Sequence, residues 1–274
     1  EFRNQCREFA KEWISIQREQ FKRPGVLGDW ENYYATMSND AEAQIASEIL
    51  TFLKNGSLYK GYKPVLWSVV ESTALADAEV EYQDHVSNQI YVKFKLKSNF
   101  KDHDNLNIII WTTTPWTIPC NRALAYNPDL NYGIYQNESG EKFIIAIDLF
   151  ENFQKVTNED YKLIESFDGN QLKDHIASHP FNELGYDFDV PLFEADFVTT
   201  EQGTGIVHVA PSHGPDDFAL GLKNGIKAEN TIDDNGHYTN IIKHHEGTHI
   251  FIADKIIIEE LQKLKKLVFT AEYK

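Results

Sequence analysis

The residues 111–121, WTTTPWTIPCN, crowd hydroxyl groups into a short stiff segment. Three consecutive threonines follow the apolar run 106–110, which is typical of a β-strand. The two prolines of the segment cannot donate to a strand ladder, so regular pairing must end there. The pattern predicts a rigid turn that presents hydroxyl and backbone groups in a fixed geometry.

A second stretch whose residues could take part in chemistry is GTGIVHVAPSHGPDDF, residues 203–218. Its apolar run predicts a short strand that carries His208. Asp216 and Asp217 follow a proline, which is typical of a helix N-terminus, where the helix dipole favours acidic side chains. Taken alone, a histidine at a strand end is more often a structural group than a catalyst.

The motif HEGTH, residues 245–249, fits the H-E-x-x-H pattern of zinc proteases. That chemistry needs both imidazoles one turn apart on a helix. Gly247 and Thr248 occupy the middle of the motif, and strand-like residues follow, so we predict a solvated turn and no metal site. The acidic run 233–236 lacks the ligand spacing of a calcium loop and is also predicted to be a turn. The chain contains no phosphate-binding loop and no nucleophile elbow.

The first part of the chain has a helical pattern. One apolar stripe predicts a helix that ends at Pro24-Gly25; the stripe consists of Phe2, Cys6, Phe9, Trp13 and Ile16. A second helix is expected from Asn39 to Gly56, with Glu42 as capping partner. Its residues predicted to point inward are Ile45, Ile49 and Leu53.

Beyond Tyr62 the apolar period changes from helical to alternating. Strands are predicted around Ile90, Val92, Phe94 and Leu96, and in the runs 107–111, 142–147 and 205–209. A hairpin turn is expected at 137–140. A final helix is expected to begin at Asp254 and to bury Ile257, Leu261, Leu264 and Val268. The predicted class is α/β: a mixed domain over residues 63–274, with a mainly β, barrel-like core surrounded by helices, preceded by a helical segment over residues 1–62.

The composition limits the partners that the chain can bind by itself. With 26 basic and 42 acidic residues its formal charge is −16, which argues against a surface that grips many phosphates. It has neither a secretory leader pattern nor an apolar run of the length that a membrane helix needs. We therefore expect a cytoplasmic protein, or an internal fragment of one. Cys6 and Cys120 are expected to be free thiols, with Cys6 packed on a helix face.

Together, the two hydroxyl- and carboxylate-bearing stretches resemble the editing domain, the first connective insertion, of isoleucyl-tRNA synthetases in the class I aminoacyl-tRNA synthetase family. The related valyl and leucyl enzymes typically read TTRP where this chain reads TTTPWT, so Thr114 and Trp116 select the isoleucyl branch. The segments 21–37, 60–82 and 121–129 continue the resemblance, and HGPDD is similar to the bacterial or organellar type. The synthetic signatures HIGH and KMSKS are absent, so a fragment without aminoacylation chemistry is expected.

The resemblance implies hydrolysis of mischarged valyl-tRNA(Ile), an aminoacyl-tRNA deacylase activity. The residues implied to be catalytic are Thr112, Thr113, Thr114 and Asp217. Those implied to bind substrate are Trp116, Thr117, Asn121, His208 and Asp217. Asp217 matches the aspartate that grips the α-ammonium group. His208 matches the residue at the end of the side-chain pocket, where it could be a steric wall or take part in the chemistry.

The resemblance also implies partners. They are the 3′ end of tRNA(Ile) carrying valine, valyl-adenylate as a second substrate, and the rest of the parent synthetase, which is expected to be a monomer. No membrane partner and no cofactor for editing are expected, whereas the parent enzyme would use ATP and magnesium. Two alternatives stay open: a valyl or leucyl editing domain, and a non-catalytic module that binds the tRNA end.

Overall fold

The computed structural model describes residues 1–274 and divides them into two compact units, Glu1–Gly61 and Tyr62–Lys274. The boundary expected from the sequence lies next to this division. The first unit consists of helix α1, Phe2–Lys22, and helix α2, Asn39–Lys54. The Ser38 hydroxyl caps α2 by accepting a hydrogen bond from the Ala41 amide, so Ser38 rather than Asn39 is the capping residue.

The first unit exposes the apolar stripes of its two helices. Ile45, Ile49 and Leu53 are about half exposed, at 47%, 50% and 55%, and Cys6 is exposed. The expectation that these side chains pack inward is therefore wrong for this unit. A helical period creates an apolar face, but the face is buried only where a second apolar surface covers it, and no residue of α1 or α2 is buried.

The second unit contains twelve strands and three helices. The strands are β1 Trp67–Ser68, β2 Thr73–Ala74, β3 Ser87–Leu96, β4 Leu106–Thr112, β5 Ala123–Tyr126, β6 Asn131–Asn137, β7 Lys142–Ala146, β8 Tyr161–Asp168, β9 Ile176–Ser178, β10 Asp189–Glu194, β11 Ile206–Val209 and β12 Leu267–Tyr273. The helices are α3 Ile147–Thr157, α4 Pro215–Lys223 and α5 Ile250–Lys263. The predicted α/β class with a mainly β core is confirmed.

Ten of these strands form one mixed sheet, in the order β11-β5-β10-β9-β3-β4-β7-β6-β8, with β12 paired to β3. The predicted hairpin at 137–140 joins the antiparallel pair β6 and β7. Strand β5 pairs in parallel with β10 and antiparallel with β11, which sets His208 opposite Leu124. The sheet therefore holds the two chemically interesting stretches at the ends of β4 and β11.

Both faces of the central strands are buried. Ile90, Val92 and Phe94 of β3 belong to the main core, while the intervening Tyr91 belongs to a second apolar cluster on the other face. Helix α5 contributes to the main core and α3 to the second cluster. Because successive side chains of a strand point to opposite faces, covering both faces makes the sheet a rigid frame for its strand ends.

The final helix begins earlier and ends earlier than the sequence predicts. It starts at Ile250, because the His249 ring accepts a hydrogen bond from the Phe251 amide and caps the helix. The chain then leaves the helix after Lys263, so Val268 lies on β12 instead of on the helix face. Ile257 and Leu261 are buried as predicted. None of the five helices combines the length and apolarity that a membrane crossing requires.

Candidate functional site

A cavity of about 370 Å³ opens between the end of β4 and the strand β11. We call it the threonine cavity. Of the residues predicted for the site, it is lined by Thr112, Thr113, His208 and Asp217. The fold therefore brings together the two stretches that the sequence analysis singled out. The volume lies at the lower end of the range of small-ligand pockets.

The other wall of the threonine cavity is the segment 197–205, of which only residues 203–205 belong to a stretch with predicted chemistry. A signal for it was the pair Gly203 and Gly205, which adopt positive φ angles of 82° and 77°. A Cβ atom at residue 205 would lie 2.3 Å from the Cβ of Ala146, so only glycine lets the backbone come this close.

Hydrogen bonds between side chains organise the threonine turn, residues 112–117. The Thr112 hydroxyl oxygen accepts the Thr114 amide at 3.1 Å and lies 3.1 Å from the Thr114 hydroxyl. The Thr114 hydroxyl lies 3.4 Å from that of Thr117, which in turn lies 3.0 Å from Nε2 of His208. A chain of polar contacts therefore runs from the cavity wall to the histidine.

These contacts indicate which ring nitrogen of His208 carries the proton. The Thr117 hydroxyl donates its one proton to the Thr114 carbonyl oxygen at 2.8 Å, so it must accept a proton from Nε2 of His208. The other ring nitrogen, Nδ1, is buried and has no hydrogen-bond partner. Burial, with a smaller contribution from His213, lowers the pKa of His208 to about 4. The imidazole is neutral at pH 7, and its unprotonated nitrogen is closed off from solvent.

Asp217 lies in the first turn of α4, and its Oδ2 accepts the Ala210 amide at 2.8 Å. Burial and, to a smaller extent, the neighbouring Asp216 raise the pKa of Asp217 to about 6, against the lowering effect of that hydrogen bond. Because its side chain lines the threonine cavity, Asp217 offers that cavity a carboxylate at neutral pH. Asp216 is exposed and does not line it.

Trp116 faces a second cavity, of about 400 Å³, and does not line the threonine cavity. Its ring meets the ring of His213 edge to face, with centroids 4.9 Å apart. Its backbone amide donates to Asp254 at 2.8 Å, and its carbonyl accepts the Tyr238 hydroxyl. The structure thus ties Trp116 to the support of the turn.

The remaining predicted residues, Thr114, Thr117 and Asn121, also lie outside the cavity lining. Thr114 and Thr117 belong to the chain of contacts described above. Asn121 is fully buried, and its Nδ2 donates to the Ala123 carbonyl oxygen at 2.8 Å. Its Oδ1 is buried without a partner. Asn121 therefore fixes the backbone that follows the threonine turn.

The HEGTH motif forms neither a zinc-protease helix nor a solvated turn. His245 is buried in a short 3₁₀ turn, and His249 caps α5. The structure instead gathers His244, His245 and Glu260, whose possible ligand atoms all lie within 4.8 Å of one another. We call this set the Glu260 cluster.

The Glu260 cluster has the composition of a metal-ligand set. Its groups also satisfy one another, because Nε2 of His245 lies 2.7 Å and Nε2 of His244 lies 3.2 Å from the Glu260 carboxylate. The Tyr186 hydroxyl contacts Nδ1 of His245 at 3.0 Å. In this form the cluster links α5 to the preceding loop by hydrogen bonds.

Residues 1–268 match the family described as tRNA synthetases class I (I, L, M and V). The chain belongs to this family. It is 59% identical over 99% of its length to an isoleucine–tRNA ligase of Pelagibacter ubique, and 43% identical over 97% to one of Gluconobacter oxydans. It spans only 31% and 29% of these two synthetases. Both relatives carry the name of the branch that the threonine turn predicted.

Among solved structures, the chain is similar in fold to the crystal structure of GlLeuRS-CP1, with a TM-score of 0.54 and 15% identity. That match covers 68% of this chain and all of the other. The editing domain of the cytosolic leucyl-tRNA synthetase of P. knowlesi matches with a TM-score of 0.51 and 11% identity, over 69% of this chain and 97% of that domain. At these identities the likeness shows a shared fold.

Proposed function

We propose that this chain is the editing domain of an isoleucine–tRNA ligase and hydrolyses the ester of valyl-tRNA(Ile). The observation that carries the proposal is the threonine cavity, where Thr112 and Thr113 of one stretch meet His208 and Asp217 of the other. These are residues that the resemblance had assigned to hydrolytic editing. The fold shared with leucyl editing domains and the isoleucyl names of the relatives support the same function.

In the proposed reaction, Asp217 binds the α-ammonium group of the valyl ester. A carboxylate at the cavity wall makes a charge-assisted hydrogen bond with an ammonium group, and this contact fixes the ester for attack. The hydroxyl and backbone groups of the threonine turn orient the terminal adenosine and the attacking water. An aminoacyl ester is already activated, so we assign the rate gain to positioning and electrostatics, without a cofactor for editing.

His208 supplies selectivity in this proposal. Valine is one methylene smaller than isoleucine, a difference worth about 1–3 kcal/mol in a binding pocket, and this enzyme family is the standard illustration of that problem. A second pocket that is too small for isoleucine rejects it by steric clash. A neutral, buried imidazole with no accessible lone pair suits the role of a wall better than that of a base.

The proposed partners follow from the same function. The 3′ end of tRNA(Ile) enters the cavity, and valyl-adenylate is a second substrate. With a net charge of −16, this part of the enzyme would take only that end, while other parts of a monomeric, cytoplasmic synthetase supply most of the tRNA affinity and use ATP and magnesium.

Deacylation of preformed valyl-tRNA(Ile) by the full-length synthetase tests the proposal. We expect the wild-type enzyme to release valine, Asp217→Ala to slow the release at least tenfold, and Asp216→Ala to stay within threefold, because only Asp217 lines the cavity. Stable valyl ester in the presence of wild-type enzyme would refute the function. Equal losses in the two variants would refute the role of Asp217.

A further inference from the structure

The backbone of Trp116 is held from both sides by side chains that are distant in sequence. Trp116 lies at the start of the 3₁₀ turn Pro115–Cys120, where a backbone amide has no partner within the turn. The Asp254 carboxylate, 138 residues later, accepts this amide at 2.8 Å. The Tyr238 hydroxyl, 122 residues later, donates to the carbonyl oxygen of the same residue.

Both holding side chains are themselves fixed. Asp254 lies on α5, which is anchored in the core by Ala253 and Ile257. Tyr238 is 2% exposed, and its backbone is bonded to the HEGTH turn through Thr248 and Gly247 at 3.0 and 2.9 Å. The Glu260 cluster ties that turn to α5, so both groups that hold Trp116 belong to one braced assembly.

We propose that Asp254 and Tyr238 are positioning residues for editing; this inference rests on the proposed function. They hold the Trp116 peptide, and thereby Thr114 and Thr117 on either side of it. Thr112 and Thr113 of the same turn line the threonine cavity, so a shift of the turn by about 1 Å would displace them relative to the substrate, and displacements of this size cost about a hundredfold in rate. The HEGTH region takes no part in the proposed chemistry. Its role in this proposal is to hold Tyr238 and α5, and through them the Trp116 peptide, in place.

The bond to a backbone amide needs an acceptor oxygen but no charge, which provides a discriminating variant. Asp254→Asn keeps an acceptor oxygen, whereas Asp254→Ala removes it. Glu259→Ala is the matched control, because Glu259 is an exposed carboxylate on the same helix. In the full-length synthetase, hydrogen exchange of the peptide that contains the Trp116 amide measures directly whether Asp254 protects this amide, independently of activity.

We expect Asp254→Ala to speed exchange of the Trp116 amide at least tenfold, and Asp254→Asn and Glu259→Ala to stay within threefold of wild type. Deacylation of valyl-tRNA(Ile) should follow the same order. We expect kcat to fall at least tenfold in Asp254→Ala with KM within threefold, and to recover in Asp254→Asn, while aminoacylation is unchanged. Tyr238→Phe should also lower kcat, because the carbonyl loses its donor.

If the Trp116 amide exchanges at the wild-type rate in Asp254→Ala, Asp254 does not hold that amide. The same conclusion follows if the amide exchanges as fast in Asp254→Asn as in Asp254→Ala. Fast exchange with normal deacylation would overturn the role of Asp254 in positioning. If the wild-type enzyme does not hydrolyse valyl-tRNA(Ile), the proposed function fails, and the exchange data still decide whether Asp254 holds the Trp116 amide.

Discussion

Replacement of His208 by alanine tests whether an imidazole wall excludes isoleucine from the threonine cavity. The substitution removes the ring and its contact with the Thr117 hydroxyl, while the neighbouring hydrogen bonds of the turn stay in place. The Thr117 hydroxyl still donates to the Thr114 carbonyl oxygen, and Nδ1 of His208 had no partner to lose. The backbone of β11 keeps its pairing with β5, including residue 208 opposite Leu124. The change should therefore enlarge the cavity without unfolding the strand.

The size of the effect follows from two contributions. Overpacking a tight site by a methylene costs about 1–3 kcal/mol, and this clash is relieved when the ring is removed. The same methylene gains about 0.8 kcal/mol when it is buried. Together these contributions amount to about 2–4 kcal/mol, so kcat/KM for isoleucyl-tRNA(Ile) should rise by between about twentyfold and several hundredfold. Hydrolysis of valyl-tRNA(Ile) should persist, reduced by looser positioning.

The assay measures deacylation of both esters by the full-length synthetase and by two variants. His208→Leu is the matched control, because leucine has nearly the volume of histidine and no ring nitrogen. If His208 is a wall, His208→Leu still spares isoleucyl-tRNA(Ile) while His208→Ala hydrolyses it. Loss of hydrolysis of both esters in both variants would refute the wall and indicate a general base. An alanine variant that discriminates like wild type would refute both roles.

Three other predictions concern the same site. Because the pKa of Asp217 is raised to about 6 and binding needs its charged form, kcat/KM for valyl-tRNA(Ile) should fall with decreasing pH below about 6; an identical acid limb in Asp217→Asn would contradict this assignment. Thr112→Val, which removes the acceptor of a turn amide, should slow deacylation at least tenfold, whereas Thr112→Ser should stay within threefold. Chelation should leave deacylation unchanged once the magnesium that tRNA needs is restored; zinc bound stoichiometrically at the Glu260 cluster, with activity that follows its occupancy, would show the opposite.

The strands of the sheet were predictable from the sequence because their signals are local, whereas a shared pocket for the two site stretches was implied only by the family resemblance. Alternation from Ile90 to Leu96 has the period of a strand, and the structure forms β3 there. The two site stretches could be recognised because each combines an apolar strand with polar residues at its end. The parallel pairing of β5 with β10, by contrast, depends on contacts across the fold that no short window of sequence contains.

The start of α5 was missed because the capping residue is a histidine, which is a rare choice. Asp254 looked like the cap, since aspartate is favoured at that position, but here its carboxylate accepts the Trp116 amide instead. His245 was expected in a solvated turn because Gly247, Thr248 and the strand-like residues after them make a helix improbable. Its burial depends on Tyr186 and Glu260, which reach it from other elements. A hydrogen bond between one polar side chain and a residue far away in the sequence produces no repeating pattern, so it cannot be predicted from periodicity.

The pairing of β12 with β3 has a consequence for how this unit forms. Tyr273 lies opposite Ser87, and Ala271 lies opposite Gln89. The first long strand, β3, therefore cannot complete its pairing before the last strand, β12, is present. Such pairing raises the contact order, which slows folding because a long loop must close before the contacts form. During synthesis, the edge of β3 stays open until β12 has left the ribosome, and an open strand edge can pair with other chains. The nascent chain should therefore be able to pair with other chains along this edge until residues 267–273 have emerged.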